Sequence, residues 1–296
     1  MNLLPAVAAL AGLLLGFWMR RLVIRHSVAE REPLRHACPR CAAPLSGVVP
    51  AEPASAGAVS AESASVDSAS AGGAAGRGRL VSFAAVAAGR CPGCRGRIGP
   101  PPLTVELLTA VTLAALALRH PPPTWPDAVL AGRPEAVSAG ELPAYGELLA
   151  YGWLAVVAVA LVFVDVAVHR LPDRLTAAAY LGTTASLAVT ALLEGRPGDL
   201  LGALLGGLAL AAFYLLLFLV NPSGMGLGDV KLAASLGTAL GWLGWNTLVT
   251  GAFLGFLAGG LYGGALLLAR RAGRGSEIPF GPFMVAGAFA AILAGL

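Results

Sequence analysis

Charge is scarce in this chain. Only 12% of its 296 residues are Asp, Glu, Lys or Arg, about half the roughly 25% of an ordinary soluble domain. Hydrophobic residues make up 57% and the mean hydropathy is +0.76. A soluble core built from this composition is excluded, because several runs approach the roughly 20 apolar residues that cross a bilayer. Cysteine is also rare. The four residues Cys38, Cys41, Cys91 and Cys94 form two Cys-x-x-Cys pairs, which is not the scattered pattern of a secreted disulfide framework. No basic residue precedes the first apolar run, about Asn2 to Met19, and Arg20 and Arg21 follow it directly. A cleavable signal peptide carries its positive charges in front, so this run is expected to stay as an anchor with the N-terminus outside. The glycine-rich stretch at Gly224–Gly228 is followed by no Gly-Lys-Ser/Thr, which argues against a phosphate-binding loop. The net charge of +4 does not read as nucleic-acid binding, because the basic residues sit between apolar runs, where they set membrane topology.

What remains is a chain of apolar runs with one polar segment. The expected fold is an all-α polytopic membrane protein of about eight transmembrane helices with an N-terminal cytoplasmic zinc-binding loop domain. Residues 1–19 form the first span and 20–100 the polar module. Residues 101–296 hold seven further spans, near 103–118, 147–168, 175–193, 199–220, 229–245, 247–269 and 279–296. Within the module, about 47–88 is rich in Ala, Ser and Gly, a composition that buries too little apolar surface to offset the entropy of ordering; it is expected to be a disordered insert. With the N-terminus outside, seventeen of the twenty Lys and Arg fall in inside segments, and Arg119, Arg133 and Arg196 fall outside. That imbalance follows the positive-inside rule.

Carboxylates within such a chain are costly and therefore informative. Asp165, in Val-Phe-Val-Asp-Val-Ala-Val, closes the third span. It is either an interfacial group that reaches water or a functional group facing the bundle interior. Asp229, in Gly224-Met225-Gly226-Leu227-Gly228-Asp229-Val230-Lys231-Leu232, opens the sixth span. It is either a helix cap or a functional group. By the topology count both lie at the inside face. Two carboxylates meeting in a poorly hydrated cleft titrate as a coupled pair, one ionised and one protonated. Such a pair can take a proton from water and polarise a peptide carbonyl. Asp173 follows Pro172 at the start of the fourth span and reads as a turn and cap. A Ser–His mechanism lacks support, since His169 is the only histidine near the expected core and no serine motif accompanies it. A transporter using Asp165 and Asp229 for protons or cations is the competing reading, although no repeat of the two halves is visible. A membrane scaffold whose zinc module docks a partner is a third.

The pairs Cys38-Pro39-Arg40-Cys41 and Cys91-Pro92-Gly93-Cys94 are zinc-knuckle candidates. Each tight turn offers two thiolates, and four thiolates suit a closed structural zinc site. The alternatives are a redox pair or loose thiols. The long separation between the pairs adds only a logarithmic closure cost.

Asp165 followed by Arg170-Leu171-Pro172-Asp173-Arg174-Leu175-Thr176 resembles the first aspartate motif of the type IV prepilin peptidase family. Gly224 to Leu232 resembles its second, a Gly-x-Gly-Asp motif with a following Lys, and Ile278-Pro279-Phe280-Gly281-Pro282-Phe283 is similar to a further stretch of that family. The resemblance implies an intramembrane aspartic endopeptidase of the inner membrane, with Asp165 and Asp229 catalytic. It would cleave short basic leaders from prepilins or type II secretion pseudopilins at the cytoplasmic face. Many members also methylate the new N-terminus with S-adenosylmethionine. Prepilin substrates and membrane lipids are the implied partners, with no nucleic acid. The stretch after the first span that the family usually carries, similar to Ser-Phe-Leu-Asn-Val and an Arg-Leu-Pro end, is here Gly16-Phe17-Trp18-Met19-Arg20-Arg21-Leu22-Val23-Ile24-Arg25, without that Asn or Pro. Methylation is therefore expected to be weak or absent.

Overall fold

The computed structural model describes residues 3–29, 32–45, 89–91, 93–119, 142–222, 224–271 and 278–295. Among them are eight α-helices: α1 Leu4–His26, α2 Thr104–Arg119, α3 Leu142–Val168, α4 Asp173–Glu194, α5 Pro197–Val220, α6 Leu227–Leu243, α7 Trp245–Leu268 and α8 Gly281–Ala294. Extended structure among the described residues is confined to two isolated bridges, Ala37 with Pro44 and Arg90 with Arg97. The expected insert at 47–88 and most of the expected loop between α2 and α3 lie outside the described residues.

Five helices, α1, α3, α4, α5 and α7, are long and apolar enough to cross a membrane. The other three have 14 to 17 residues. The surface matches an apolar solvent: Trp18 is 67% exposed, Leu192 81% and Leu268 88%. Side chains of this kind side by side over whole helices are not sustained by a monomeric protein in water.

The centre of the bundle is α3. Ala150, Tyr151, Leu154, Ala158 and Leu161 are fully buried, with α1, α2, α4 and α8 packed around the helix. Leu149 and Trp153 still face outward, as an apolar helix without a polar face can do in lipid. The remaining helices associate as close pairs, α5 with α6 and α7 with α8. Small residues make this possible, as is usual where lipid removes the hydrophobic drive for association. A Cβ on Gly206 of α5 would lie 2.7 Å from the Gly237 carbonyl oxygen of α6, so the two backbones touch. Between the two pairs contact is slight, and α5 meets α7 mainly through aromatic rings, as in Phe213 and Tyr214 against Phe256.

The α3 helix begins at Leu142, five residues before the expected span, and the end of α1 differs most from the sequence reading. The first helix does not stop at Met19 but continues through Arg20 and Arg21 to His26. Arg20 is fully buried. Its Nε and one terminal nitrogen donate to Glu106 of α2 at 2.6 and 2.7 Å, and its terminal nitrogens also donate to the Pro100 and Pro101 carbonyls at 2.8 and 2.7 Å. A charge satisfied on every side does not end a helix at the membrane edge. Val23 of α1 packs with Ala160 and Val164 of α3, and Ile24 packs with Cys38, Cys91 and Ile98. The cysteine module therefore sits at the end of the bundle where α3 finishes, the end that carries Asp165.

Candidate functional site

The turn after α3 places Asp165 and sets where α6 begins. His169 ends α3 in the left-handed region, φ 52°, with its N–H donating to the Asp165 carbonyl at 2.7 Å. Pro172 then occupies the position before α4, where its fixed φ and missing N–H cost nothing. Between them Leu171 is buried under the first turn of α6. A Cβ on Gly228 would lie 2.8 Å from the Cβ of Leu171, so only glycine lets α6 start this close to the turn.

Each aspartate is fixed by a backbone amide at the start of a helix. Asp165 is 4% exposed, and the N–H of Gly281, first residue of α8, donates to its Oδ2 at 3.0 Å. Asp229 is 8% exposed, and the Gly226 N–H donates to its Oδ2 at 3.0 Å. The cap position of α6 belongs to Gly226, so Asp229 does not cap its own helix from outside, the alternative that the sequence left open. It is the third residue of the helix and reaches back, which is one half of a capping box; the other half is missing because Gly226 has no side chain. Both anchors set a carboxylate against the positive end of a helix. The close approach of Gly228 to Leu171 sets the first turn of α6, which carries Asp229, beside the turn that follows Asp165. Phe280, beside Gly281, belongs to an aromatic cluster with Tyr214 and Phe256.

Asp173 stands apart. It is the first residue of α4, makes no capping hydrogen bond, and is 76% exposed while pairing with Lys231 Nζ at 2.6 Å. The turn is as the sequence suggests; the cap is not, because Pro172 holds the cap position and the carboxylate turns to α6 instead. Gly281, Gly226 and Gly228 belong to the site without having been singled out as site residues. The similar stretch Ile278–Phe283 was the signal for the first of these, and the spacing of glycines before Asp229 for the next two.

The four cysteines come together. Their sulfurs all lie within 4.8 Å of one another, with Cys41 and Cys91 3.4 Å apart and Cys38 and Cys94 3.8 Å apart. A tetrahedron of sulfurs about 2.3 Å from a zinc ion has edges of about 3.8 Å, so the donor set fits such a metal. The two loops repeat one design. The Cys38 N–H donates to the Ala43 carbonyl and the Cys91 N–H to the Gly96 carbonyl. Ala42 and Arg95, each four residues after the first cysteine, adopt positive φ of 56° and 55°. The Arg40 and Gly93 amides approach Cys38 and Cys91 at 3.5 and 3.3 Å. The Arg40 N–H is the main cause that lowers the Cys38 thiol to about 6, favouring the thiolate, which is the form that binds a metal.

The type IV leader peptidase family matches residues 152–264, a segment that contains both Asp165 and Asp229. Three prepilin leader peptidase/N-methyltransferases are similar over a longer stretch. That of Aeromonas hydrophila is 36% identical over 211 residues, covering 70% of this chain and 63% of the relative. That of Aeromonas salmonicida strain A449 is 34% identical over 211 residues, covering 70% and 62%. That of Pseudomonas aeruginosa is 33% identical over 218 residues, covering 73% and 66%. The chain thus spans a little under two thirds of the length of these relatives. No solved structure matches it. With a matching helical segment that includes both buried aspartates, residues 152–264 of the chain match the type IV leader peptidase family, and the surrounding sequence is similar to its prepilin leader peptidase/N-methyltransferases.

Proposed function

We propose that the chain is an intramembrane aspartic endopeptidase that removes leader peptides from type IV prepilins or pseudopilins, with Asp165 and Asp229 as its catalytic pair. The observation that carries this reading is the placement of two buried carboxylates at one end of the bundle, each held through one oxygen by a helix-terminal amide. One oxygen of each carboxyl is left for chemistry. The ionised member takes a proton from the attacking water, and the protonated member donates to the scissile carbonyl. The amides fix orientation before substrate arrives, so little reorganisation is required. Lys and Arg concentrate on the side that carries the aspartates: Arg170, Arg174, Lys231, Arg270 and Arg271 flank helix ends there. By the positive-inside rule that side is the cytoplasm of an inner membrane, the N-terminus is outside, and leaders are cut at the cytoplasmic face.

The cysteine module is proposed to hold one structural zinc through Cys38, Cys41, Cys91 and Cys94. Such an ion would join the two loops into one unit and supply no reactive position, since all four ligands are protein thiolates. Elemental analysis of purified protein should find about one zinc per chain, and Cys91→Ser should lose it. Because a thiol must lose its proton to bind a metal, protons compete with the ion, and metal should stay bound at neutral pH and leave in acid. Purified protein that carries no metal at neutral pH would contradict this.

Gly281 tests the anchoring of Asp165. A Cβ there would lie 2.8 Å from Asp165 Oδ2, closer than such an atom tolerates, and the carboxylate would have to swing away. Gly281→Ala should therefore lower cleavage by about 100-fold or more, in line with the cost of an ångström-scale misplacement, while the helical circular dichroism signal is unchanged. Wild-type activity in Gly281→Ala would show that the position of Asp165 does not depend on this amide.

Co-expression with a leader-bearing pilin tests the function. Mass spectrometry of the pilin N-terminus should show the leader removed and little or no added methyl. Methyl transfer from S-adenosylmethionine is expected to be weak because the family stretch after the first helix is altered, and Arg20 within it is engaged by Glu106, Pro100 and Pro101. An uncut pilin would sink the peptidase reading. A methyl mass on most molecules would sink the second expectation alone.

A further inference from the structure

Gly251, Gly255 and Gly259 recur at every fourth position of α7, which puts them on one face of the helix. That face receives α8. A Cβ on Gly251 would lie 3.4 Å from the Ala288 Cα, and one on Gly255 would lie 3.1 Å from the Phe283 carbonyl oxygen, so backbone meets backbone over this stretch. Gly259 faces the start of α8, where the neighbour is a ring instead. A Cβ there would lie 2.9 Å from Phe280 Cε2 and 3.5 Å from Phe283 Cδ2. Gly259 is thus the seat of the Phe280 ring. Other rings hem that ring in. The Phe256 centroid stands 5.1 Å from it, that of Tyr214 6.1 Å and that of Phe283 6.3 Å.

The backbone of Phe280 is held as well. Its carbonyl accepts from the Phe283 and Met284 amides at 3.0 and 3.2 Å. That carbonyl and the Gly281 N–H belong to one planar peptide unit, and this N–H donates to Asp165 Oδ2 at 3.0 Å. The unit cannot tilt for one partner without tilting for the others. A shift of the Phe280 ring therefore reaches the donor that aims Asp165.

We propose that Phe280 and Gly259 are positioning residues for Asp165: α7, which carries neither aspartate, sets the direction of the carboxylate through the ring seated on it. The expected effect on cleavage rests on the peptidase reading. Because the amide holds Oδ2, the direction of the other oxygen, the one left for chemistry, follows the tilt of the peptide unit. An error of about an ångström at such a group can lower the rate by about 100-fold.

Gly259→Ala adds one methyl at the seat. Gly260→Ala is its control, because a Cβ there would meet no described atom within 4 Å. Wild type, both variants and the double variant Gly259→Ala, Phe280→Leu would be purified and placed in lipid nanodiscs. Each would be assayed with one leader-bearing pilin, melted, and followed by hydrogen exchange over residues 279–283. Pro279 and Pro282 have no N–H, so the exchange reports the Phe280, Gly281 and Phe283 amides. In Gly259→Ala, kcat should fall by roughly 10- to 100-fold at nearly constant KM, and exchange in the segment should quicken. The thermal midpoint should hold, since alanine favours a helix over glycine. Phe280→Leu removes the ring edge that the methyl meets, so the double variant should regain most of the lost kcat. Gly260→Ala should match wild type. Unchanged kcat in Gly259→Ala overturns the proposal, as does a rise in KM at constant kcat. So does a fall in kcat that comes with unchanged exchange or with a lowered thermal midpoint, an equal fall in Gly260→Ala, or a double variant no better than the single. If wild type itself does not cleave, the peptidase reading fails, and the exchange comparison alone decides whether Gly259 sets the Gly281 amide.

Discussion

Asp165→Asn and Asp229→Asn should each remove leader cleavage, by roughly 10⁴-fold or more, and the double variant should be no worse than either single. Groups that act as one unit are not additive: once one is gone, the other has little left to contribute. The fold should survive both changes. An Asn side-chain oxygen can still accept from the Gly281 or Gly226 amide that now holds each carboxylate at 3.0 Å, and a neutral group in a buried place costs less than a charge. Asp173→Asn provides the contrast. That carboxylate is 76% exposed, and an exposed ion pair is worth about 0–1 kcal/mol, so cleavage should fall only modestly. Activity in Asp165→Asn with none in Asp173→Asn would mean that the pair is wrongly assigned. Melting temperature and retention in the membrane, measured alongside cleavage, keep loss of fold apart from loss of chemistry.

The largest effect on stability is expected at Arg20. Its guanidinium holds Glu106 through two hydrogen bonds and the carbonyls of Pro100 and Pro101 through two more, all at a fully buried position. Arg20→Met would leave a carboxylate and two carbonyls without their donor. Breaking a buried pair by removing one partner costs about 3–5 kcal/mol, enough to loosen the junction between α1, α2 and the cysteine module. Arg20→Met with Glu106→Leu removes both charges, and much of the loss should be regained. Denaturation of the three forms in detergent tests this. A single variant as stable as wild type would show that the pair is not needed to hold α1 to α2.

Asp165 and Asp229 stand out in the sequence for a physical reason. In a chain with so few charges, a carboxylate inside an apolar run is conspicuous, and the turn residues His169–Pro172 and Gly224–Gly228 mark where the helices carrying the pair end and begin. The cysteine cluster was legible because Cys-x-x-Cys brings two ligands together by local geometry alone. The rest depends on contacts between segments distant in sequence. Arg20 looks like the membrane-edge charge that ends a helix, and nothing local indicates that Glu106 lies opposite it. The Gly281 amide serves Asp165 across 116 positions, so its role cannot be read from either neighbourhood. Helix ends lie within a few residues of the expected spans except at the start of α3, five residues early, and the end of α1, where Arg20 is paired across the bundle and does not face water.

The central claim is that the two aspartates hydrolyse a peptide bond, and cleavage by purified protein tests it most directly. Wild type and the Asp165→Asn, Asp229→Asn double variant would be placed in lipid nanodiscs with a leader-bearing pilin as the only other protein, and both products weighed by mass spectrometry. The predicted result is one cut by wild type, giving leader and mature chain whose masses sum to the substrate plus one water, and no cut by the folded double variant. An intact substrate with wild type, or the same cut made by the double variant, would contradict it.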